Sequence, residues 1–242
     1  MTDMEEIKKQ VGQSDSDDDE PENLQYKVIL LGNGTVGKTS IINRFCEDYF
    51  AKTYKQTIGV DFYVKRLELP DNIFTALQVW DIGGQSIFSK MVTTYIYEAN
   101  AVIFAYDITN HQSFADLEDW HQLVLKTFEG KEPPLMALMG NKIDLNHMQA
   151  VKQEEHEQFA EENRLYNFYV SAKTGDQIEA CFYKIAADLS GVKLSKEMIE
   201  SQQKAVKPNI IDYMNNEAEL EKAEEEQQKK TKKKGKKTCA IF

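Results

Sequence analysis

The chain contains few cysteines and lacks any long run of apolar residues. Only three cysteines occur in 242 residues, and this odd number without a secretory signal predicts free thiols in a reducing compartment. No apolar stretch approaches the ~20 residues that a membrane-spanning helix needs. The acidic start does not resemble a signal or transit peptide, and Thr2 in place of glycine excludes simple N-myristoylation. We therefore expect a cytosolic protein, unless a signal elsewhere attaches it to a membrane.

An excess of basic residues is also missing. The chain has 29 Lys and Arg against 40 Asp and Glu, a net charge of −11, which gives no support to general nucleic-acid binding. Residues 1–26 hold nine acidic residues against two lysines, so −7 of this charge lies there. We predict that residues 1–25 form a disordered acidic tail. This tail is either simply solvated or regulated by phosphorylation of Ser14 or Ser16.

From Tyr26 onward, apolar runs alternate with helix-like segments. We predict strands at 27–31, 61–69, 74–81, 101–106, 134–140 and 168–170, and helices that include 38–45, 113–127, 152–162 and 176–189. A turn at 70–72 predicts a hairpin, and hence one antiparallel strand. The predicted fold class is α/β, with a six-stranded, mostly parallel sheet and five helices in residues 26–190. Residues 191–242 are predicted to be a flexible tail, helical in part at 193–206.

The most informative stretch is GNGTVGKT at residues 32–39, which fits the G-x-x-x-x-G-K-[ST] phosphate-binding loop. It stands between a predicted strand and a predicted helix, as the motif requires. Glycines let backbone N–H groups surround an anion, and the helix N-terminus adds the positive end of its dipole. We expect Lys38 to reach the β- and γ-phosphates and the Thr39 hydroxyl to bind Mg²⁺. The alternative is a glycine-rich turn that binds nothing.

A second motif, Asp81-Ile82-Gly83-Gly84-Gln85, follows the strand at 74–81. In phosphate-loop proteins an Asp at this place holds Mg²⁺, usually through water. The Gly84 N–H is placed to contact a γ-phosphate, and Gln85 to orient the attacking water. The alternatives are a helix N-cap for Asp81 and a solvated loop residue for Gln85.

Two further motifs indicate a guanine base. Asn141-Lys142-Ile143-Asp144 follows the strand at 134–140, and Ser171-Ala172-Lys173 follows the next strand. A carboxylate such as Asp144 can accept hydrogen bonds from the N1–H and the exocyclic amine of guanine, a donor pair that adenine lacks. We expect Asn141 to brace the loop, the Lys142 stem to pack on the base plane and the Ala172 N–H to meet guanine O6. Each tetrapeptide alone would be an ordinary loop, but four motifs, each after its own strand, strongly predict a nucleotide site.

With these motifs, residues 26–189 resemble the Ras-like small GTPases, which have the P-loop NTPase fold. Ile58-Gly59-Val60-Asp61-Phe62, Ala105-Tyr106-Asp107-Ile108-Thr109 and Gly140-Asn141-Lys142-Ile143-Asp144-Leu145 are similar to the Rab branch. The resemblance implies that Thr57 is the switch-one threonine that contacts Mg²⁺ and the γ-phosphate. It also implies that Phe50 packs against the guanine, with core packing as the alternative.

The resemblance implies a GTPase that hydrolyses GTP to GDP and phosphate with Mg²⁺ as cofactor. Unaided hydrolysis is expected to be slow, so an activating protein would accelerate it. An exchange factor and effectors would also act through the switch loops. Phe62, Trp80 and Tyr95 lie beside these loops and are either effector contacts or core residues. We expect a monomer that does not bind nucleic acid. The candidate nucleotide-binding residues are Gly34, Thr35, Val36, Gly37, Lys38, Thr39, Ser40, Phe50, Thr57, Gly84, Asn141, Lys142, Asp144, Ser171, Ala172 and Lys173, the catalytic candidates are Lys38 and Gln85, and the Mg²⁺ candidates are Thr39, Thr57 and Asp81.

One departure from the usual Rab pattern leaves alternatives open. Rab proteins usually read Trp-Asp-Thr-Ala-Gly-Gln in switch two, whereas this chain has Ile82 and Gly83. The Gly-Gly-Gln run resembles the Arf branch and also a divergent Rab subclass that ends in a CaaX box. Gly83 is expected to add backbone freedom to switch two. The alternatives to a Rab-type switch are therefore an Arf-like GTPase and a GTP-bound scaffold with negligible turnover.

The last four residues, Cys239-Ala240-Ile241-Phe242, fit a C-a-a-X box. A terminal phenylalanine favours geranylgeranylation of Cys239 by a prenyltransferase. The lysine-rich residues 229–237 are a suitable second signal, because a single lipid chain anchors marginally and each lysine adds ~1 kcal/mol near anionic lipid. The alternatives are a solvated basic tail and a nuclear localisation patch. We expect a prenylated protein of vesicle traffic at the cytoplasmic face of a membrane, with the resembling subclass suggesting cilia or endosomes.

Overall fold

The computed structural model describes residues 23–84, 90–195, 197–198 and 209–211. The first half of the chain contains β1 (Asn23–Leu31), α1 (Lys38–Glu47), β2 (Tyr49–Ala51), β3 (Val60–Leu69), β4 (Ile73–Ile82) and α2 (Lys90–Ile96). Next come β5 (Ala101–Asp107), α3 (His111–Ala115), α4 (Leu117–Thr127), β6 (Leu135–Asn141), α5 (Gln153–Glu162), β7 (Tyr166–Val170), α6 (Ile178–Leu189) and β8 (Asn209–Ile211). Short 3₁₀ turns occupy Pro70–Asn72 and Ile143–Met148.

Six strands form one sheet in the order β3-β4-β1-β5-β6-β7. The hairpin strands β3 and β4 are antiparallel, and the other neighbours in this sheet run parallel. The predicted α/β class with a six-stranded, mostly parallel sheet is therefore confirmed. All seven residues of β5 are buried, as expected for a central strand covered on both faces.

Several boundaries differ from the predictions. Strand β1 begins at Asn23, inside the predicted N-terminal tail, because its first residues pair with β4 from Phe74 onward. The predicted helix 113–127 is two helices, α3 and α4, and α3 starts earlier because the Asn110 side chain accepts hydrogen bonds from the N–H groups of Gln112 and Ser113. With α2, which was not predicted, the described residues contain six α-helices instead of five.

Two side chains that follow α6 contact the folded unit. The side chain of Val192 is buried, and Leu194 packs against the core. Strand β8 pairs in parallel with β2 and forms a second, two-stranded sheet. Residues 1–22 of the predicted acidic tail at 1–25, and the C-terminal Cys239, lie outside the described residues.

The core has two parts, one on each face of the main sheet. On one face, α1 and α6 pack together, and the rings of Phe45 and Phe182 stack with their centroids 4.0 Å apart. On the other face, Trp120 and Val124 of α4 pack with side chains of α2 and α5. Both layers hold the parallel strands so that their carboxyl ends share one edge, where ligands bind in open α/β sheets. None of the helices in the described part of the chain is long and apolar enough to cross a membrane.

Candidate functional site

A cavity of about 930 Å³ opens at the carboxyl edge of the sheet. This volume is of the size that small-molecule and cofactor sites have in proteins. Its walls come from the glycine loop after β1, the segment 49–58, and the loops after β6 and β7. The predicted site residues that line it are Gly34, Thr35, Gly37, Lys38, Thr39, Ser40, Phe50, Thr57, Gly84, Asn141, Lys142, Asp144, Ala172 and Lys173.

The glycine loop forms the first end of the cavity. Gly32 and Gly37 have φ angles of 138° and 100°, a region that favours glycine. Both are also packed closely, because an added Cβ would collide with the carbonyl oxygen of Ala105 at Gly32 and with the Asn141 side chain at Gly37. Helix α1 then begins with no side-chain cap and no acidic residue in its first turn. Its N-terminal N–H groups are therefore left for an anion.

Lys38 lies inside this loop and is only 6% exposed. Its Nζ donates hydrogen bonds to the carbonyl oxygens of Gly32 at 2.7 Å and Asn33 at 2.8 Å. Burial lowers the pKa of the Lys38 ammonium to about 8, and the negative charge of Asp81 opposes this shift. A phosphate next to Nζ would favour the charged form further. The buried ammonium is thus placed for an anionic ligand.

Three oxygen-bearing side chains meet beside Lys38. Asp81, at the end of β4, is fully buried, and its Oδ2 accepts hydrogen bonds from Thr39 Oγ1 at 2.6 Å and Thr57 Oγ1 at 3.2 Å. The two threonine oxygens lie 2.9 Å apart. Burial raises the pKa of Asp81, while the Thr39 hydrogen bond and Lys38 oppose the shift.

This oxygen cluster fits a magnesium ion. Within the described residues, Asp81 Oδ1 is buried and has no hydrogen-bond partner. No group of three or more His, Cys, Asp or Glu side chains suited to a metal occurs in that part of the chain. A cation here would therefore be held by one carboxylate, two hydroxyls and oxygens of a bound phosphate. Hard oxygen ligands, supplied partly by substrate phosphates, are what Mg²⁺ prefers.

The other end of the cavity is built from the loops after β6 and β7. Asn141, which is 1% exposed, donates from Nδ2 to the Val36 carbonyl at 2.8 Å and accepts from the Ala172 N–H at 3.1 Å. Asp144 Oδ1 accepts a hydrogen bond of 2.7 Å from Ser171 Oγ. Lys173 Nζ lies 3.5 Å from Asp144 Oδ2. The predicted base-reading carboxylate is thus oriented by the following loop.

Not every predicted residue faces the cavity. Val36 is 1% exposed and belongs to the core, and its contribution to the site is the carbonyl that Asn141 uses. Ser171 is fully buried and acts through Asp144. The Ala172 N–H, expected to meet guanine O6, donates to Asn141 in this structure. Gln85 lies outside the described residues.

Gly83 has a different role from the one expected. Its φ is outside the left-handed region, so the conformation does not require glycine. A Cβ on Gly83 would, however, lie 2.7 Å from the Thr57 carbonyl oxygen. The Gly83 N–H donates to the carbonyl oxygen of Gly59 at 3.1 Å. The glycine therefore permits close contact between the backbones of switch one (residues 54–59) and switch two, to which Ile82 and Gly83 belong.

Three positioning contacts were not predicted from the sequence. Asp107 forms an ion pair of 2.6 Å with Lys142, whose Nζ also donates to the Thr35 carbonyl. Asn33 is held by Asp116 at 2.5 Å and by Trp120 Nε1 at 3.2 Å. The third contact is that of Arg44, a buried arginine of α1 that reaches the loop after β7. The partners in these contacts lie 35, 83 and 128 residues apart in the sequence, and no local motif indicates them.

Comparisons with known proteins agree with this geometry. The model of the Ras family matches residues 27–191. Ras-related protein Rab-28 of Caenorhabditis elegans is 40% identical to this chain over 207 residues. The alignment covers 85% of this chain and 83% of that protein.

Proposed function

Because the chain belongs to the Ras family of small GTPases, in its Rab branch, we propose that it is a prenylated, Mg²⁺-dependent GDP/GTP switch in membrane traffic. Members of this family bind guanine nucleotides and hydrolyse GTP to GDP and phosphate, and the chain is therefore a GTPase. The similarity to a Rab protein over most of the chain gives no support to the Arf-like alternative.

The observation that carries the proposal is the contact between switch one and the phosphate end of the cavity. Thr57 belongs to a loop, whereas Thr39 and Asp81 belong to α1 and β4, and yet their oxygens are within hydrogen-bond distance. These three residues would hold Mg²⁺, which when bound neutralises charge on the nucleotide phosphates. A loop that depends on this cluster for its position would respond to the presence of a γ-phosphate.

The remaining site residues suit phosphoryl transfer to water. Lys38 and the N–H groups at the start of α1 would stabilise negative charge on the transferring phosphoryl group. The proposed role of Gln85 is to orient the attacking water, and that of the Gly84 N–H is to contact the γ-phosphate. An arginine supplied by an activating protein would accelerate hydrolysis by roughly 10³–10⁵-fold. The slow unaided reaction suits a switch.

The base end of the cavity would select guanine. The Asp144 carboxylate would accept from the base N1–H and amine, with Lys142 and Phe50 packing on the ring. Ser171 and Lys173 hold Asp144 in place, and Asp107 restrains Lys142. Adenine would leave the half-buried Asp144 carboxylate without the two donors of guanine, and binding sites of this kind discriminate strongly.

Attachment to a membrane is proposed from the sequence of the C-terminal segment. A prenyl group on Cys239 and the lysines at 229–237 would together bind an anionic, cytoplasmic membrane surface.

Phe62, Trp80 and Tyr95 form an aromatic row beside the switches, with ring centroids 6.2 Å apart in each neighbouring pair. Phe62 is 63% exposed, and this row is the proposed contact for effectors.

The experiment that tests the switch is a pair of measurements on the purified chain. GTP and GDP affinities are measured with and without Mg²⁺ for the wild type and for Thr39→Asn, and GTP hydrolysis is followed alongside. We expect the variant to lose Mg²⁺-dependent GTP affinity and to retain GDP. Unchanged GTP affinity would contradict the assignment of the loop. Guanine binding without measurable turnover, even when lysate supplies activators, would favour the scaffold alternative.

A further inference from the structure

Helix α1 carries one arginine whose side chain points away from solvent. Arg44 is only 3% exposed, and its neighbours Ile41, Ile42 and Phe45 are apolar and fully buried. A buried guanidinium is costly unless its N–H groups are hydrogen-bonded. The position of Arg44 therefore needs partners, and the direction of its hydrogen bonds indicates what the residue does.

The guanidinium binds the loop that follows β7. Arg44 Nε donates to the Ala172 carbonyl at 3.0 Å, and Nη2 donates to the Lys173 carbonyl at 3.1 Å. The rigid, planar fork of arginine thereby fixes two successive peptide groups, which a lysine could not do in the same way. The remaining nitrogen, Nη1, donates to the side chain of Asp48, the residue that follows α1, at 3.1 Å. Because Asp48 is 46% exposed, that pair contributes little by itself.

The loop that Arg44 holds is the one that orients the base-reading side chains. Ser171 and Lys173 contact the two oxygens of Asp144. The N–H of Ala172 binds Asn141 Oδ1, so both members of the Asn141–Asp144 motif depend on the position of residues 171–173. Without Arg44, two carbonyls that now accept charged hydrogen bonds would lose them, and the loop would be free to shift.

We propose that Arg44 is a positioning residue for guanine selectivity. It connects α1, whose N-terminus faces the phosphate end of the cavity, with the loop that fixes Asp144 at the base end. Arg44 itself does not line the cavity. This inference rests on the proposed reading of guanine by Asp144.

The test compares GDP with inosine diphosphate, which lacks only the exocyclic amine that Asp144 would bind. Dissociation constants for both are measured with the full chain for the wild type, Arg44→Met and Arg44→Lys. We expect the wild type to prefer GDP, and Arg44→Met to reduce that preference by about tenfold, the size of one charge-assisted hydrogen bond. Arg44→Lys should give an intermediate preference, because one ammonium cannot bind both carbonyls in the same geometry.

The matched control is Asp48→Asn, which weakens the other contact of Arg44 and leaves the bonds to the loop. It should keep the wild-type preference. If either Arg44 variant weakens both nucleotides by the same factor, Arg44 only stabilises the domain and the proposal is overturned. Arg44→Lys retains a buried cation and provides this measurement if Arg44→Met does not fold. A wild type without preference for GDP would instead overturn the proposed base recognition.

Discussion

Replacing Gly83 by alanine tests whether the two switches are held together by backbone contact. The substitution adds one methyl group and introduces the residue that Rab proteins usually have at this place. In this structure that methyl carbon would lie 2.7 Å from the Thr57 carbonyl oxygen and 3.5 Å from that of Gly59. Both neighbours are backbone atoms, so no side-chain rotation can relieve the contact. Switch one must therefore move away from switch two.

The size of the effect follows from this geometry. An ordinary contact of this type needs at least 3.4 Å, so the Thr57 carbonyl would move by about 0.7 Å. The Gly83 N–H to Gly59 bond, at 3.1 Å, would lengthen, and the Thr57 to Asp81 bond, at 3.2 Å already long for two oxygens, would weaken or break. Each is worth about 1 kcal/mol. A total of about 1–2 kcal/mol corresponds to a 5–30-fold change in an equilibrium constant.

The assay is the ratio of affinities for a non-hydrolysable GTP analogue and for GDP. Thr57 is the proposed γ-phosphate contact, so Gly83→Ala should weaken the GTP analogue by 5–30-fold while GDP affinity stays within about twofold. Gly130→Ala is the control, because that glycine lies in the turn between α4 and β6 and an added Cβ meets nothing within 4 Å. Its φ of 77° makes alanine unfavourable there, so this variant should lower stability without changing the ratio of affinities. An unchanged ratio in Gly83→Ala would refute the reasoning. It would mean that switch one reaches its nucleotide-bound position without the glycine contact.

Asp144→Asn should exchange guanine preference for xanthine preference, since the amide can donate to the xanthine oxygen; competition binding measures this, and persistent guanine preference would contradict the assigned carboxylate. Cys239→Ser should move the chain from the membrane pellet to the supernatant of a cell fractionation, and continued pelleting would indicate another anchor. Burial lowers the pKa of His156 to about 4, below its unfolded value near 6.5, so the unfolded state binds the extra proton and stability falls as the pH decreases from 7 towards 4. Between pH 7 and pH 5 the free energy of unfolding, measured with denaturant, should fall by about 2 kcal/mol because of this residue. The variant His156→Gln should lack this part of the pH dependence, and an equal pH dependence in the variant would show that His156 is not responsible.

Much of the site could be predicted because its motifs are local. The glycine loop, Asp81 and Asp144 each follow an apolar strand, and parallel strands bring their carboxyl ends to one edge. The early start of α3 was missed, although Asn110 is a favourable helix cap. Helix α2, in contrast, has no strong signal in the sequence, and the pairing of β2 with β8 joins segments about 160 residues apart.

The sequence alone does not show why residue 83 is a glycine. A glycine in a loop suggests conformational freedom, but its φ here is outside the left-handed region. The constraint comes from the carbonyl of Thr57, which belongs to another loop and lies beside Gly83 where β3 and β4 pair. Asp107 and Arg44 were missed for the same reason, because their partners lie 35 and about 128 residues away.

The two ends of the cavity are joined through one buried amide. Asn141 holds the Val36 carbonyl of the glycine loop with its Nδ2 and the Ala172 N–H of the base loop with its Oδ1. The absence of a side chain at Gly37 is what gives the amide room. A change at either end of the cavity therefore affects the other end, since a shift of the Asn141 amide alters both hydrogen bonds. Free energies lost in base-end and phosphate-end variants should for this reason not add, as is usual for residues within one hydrogen-bond network.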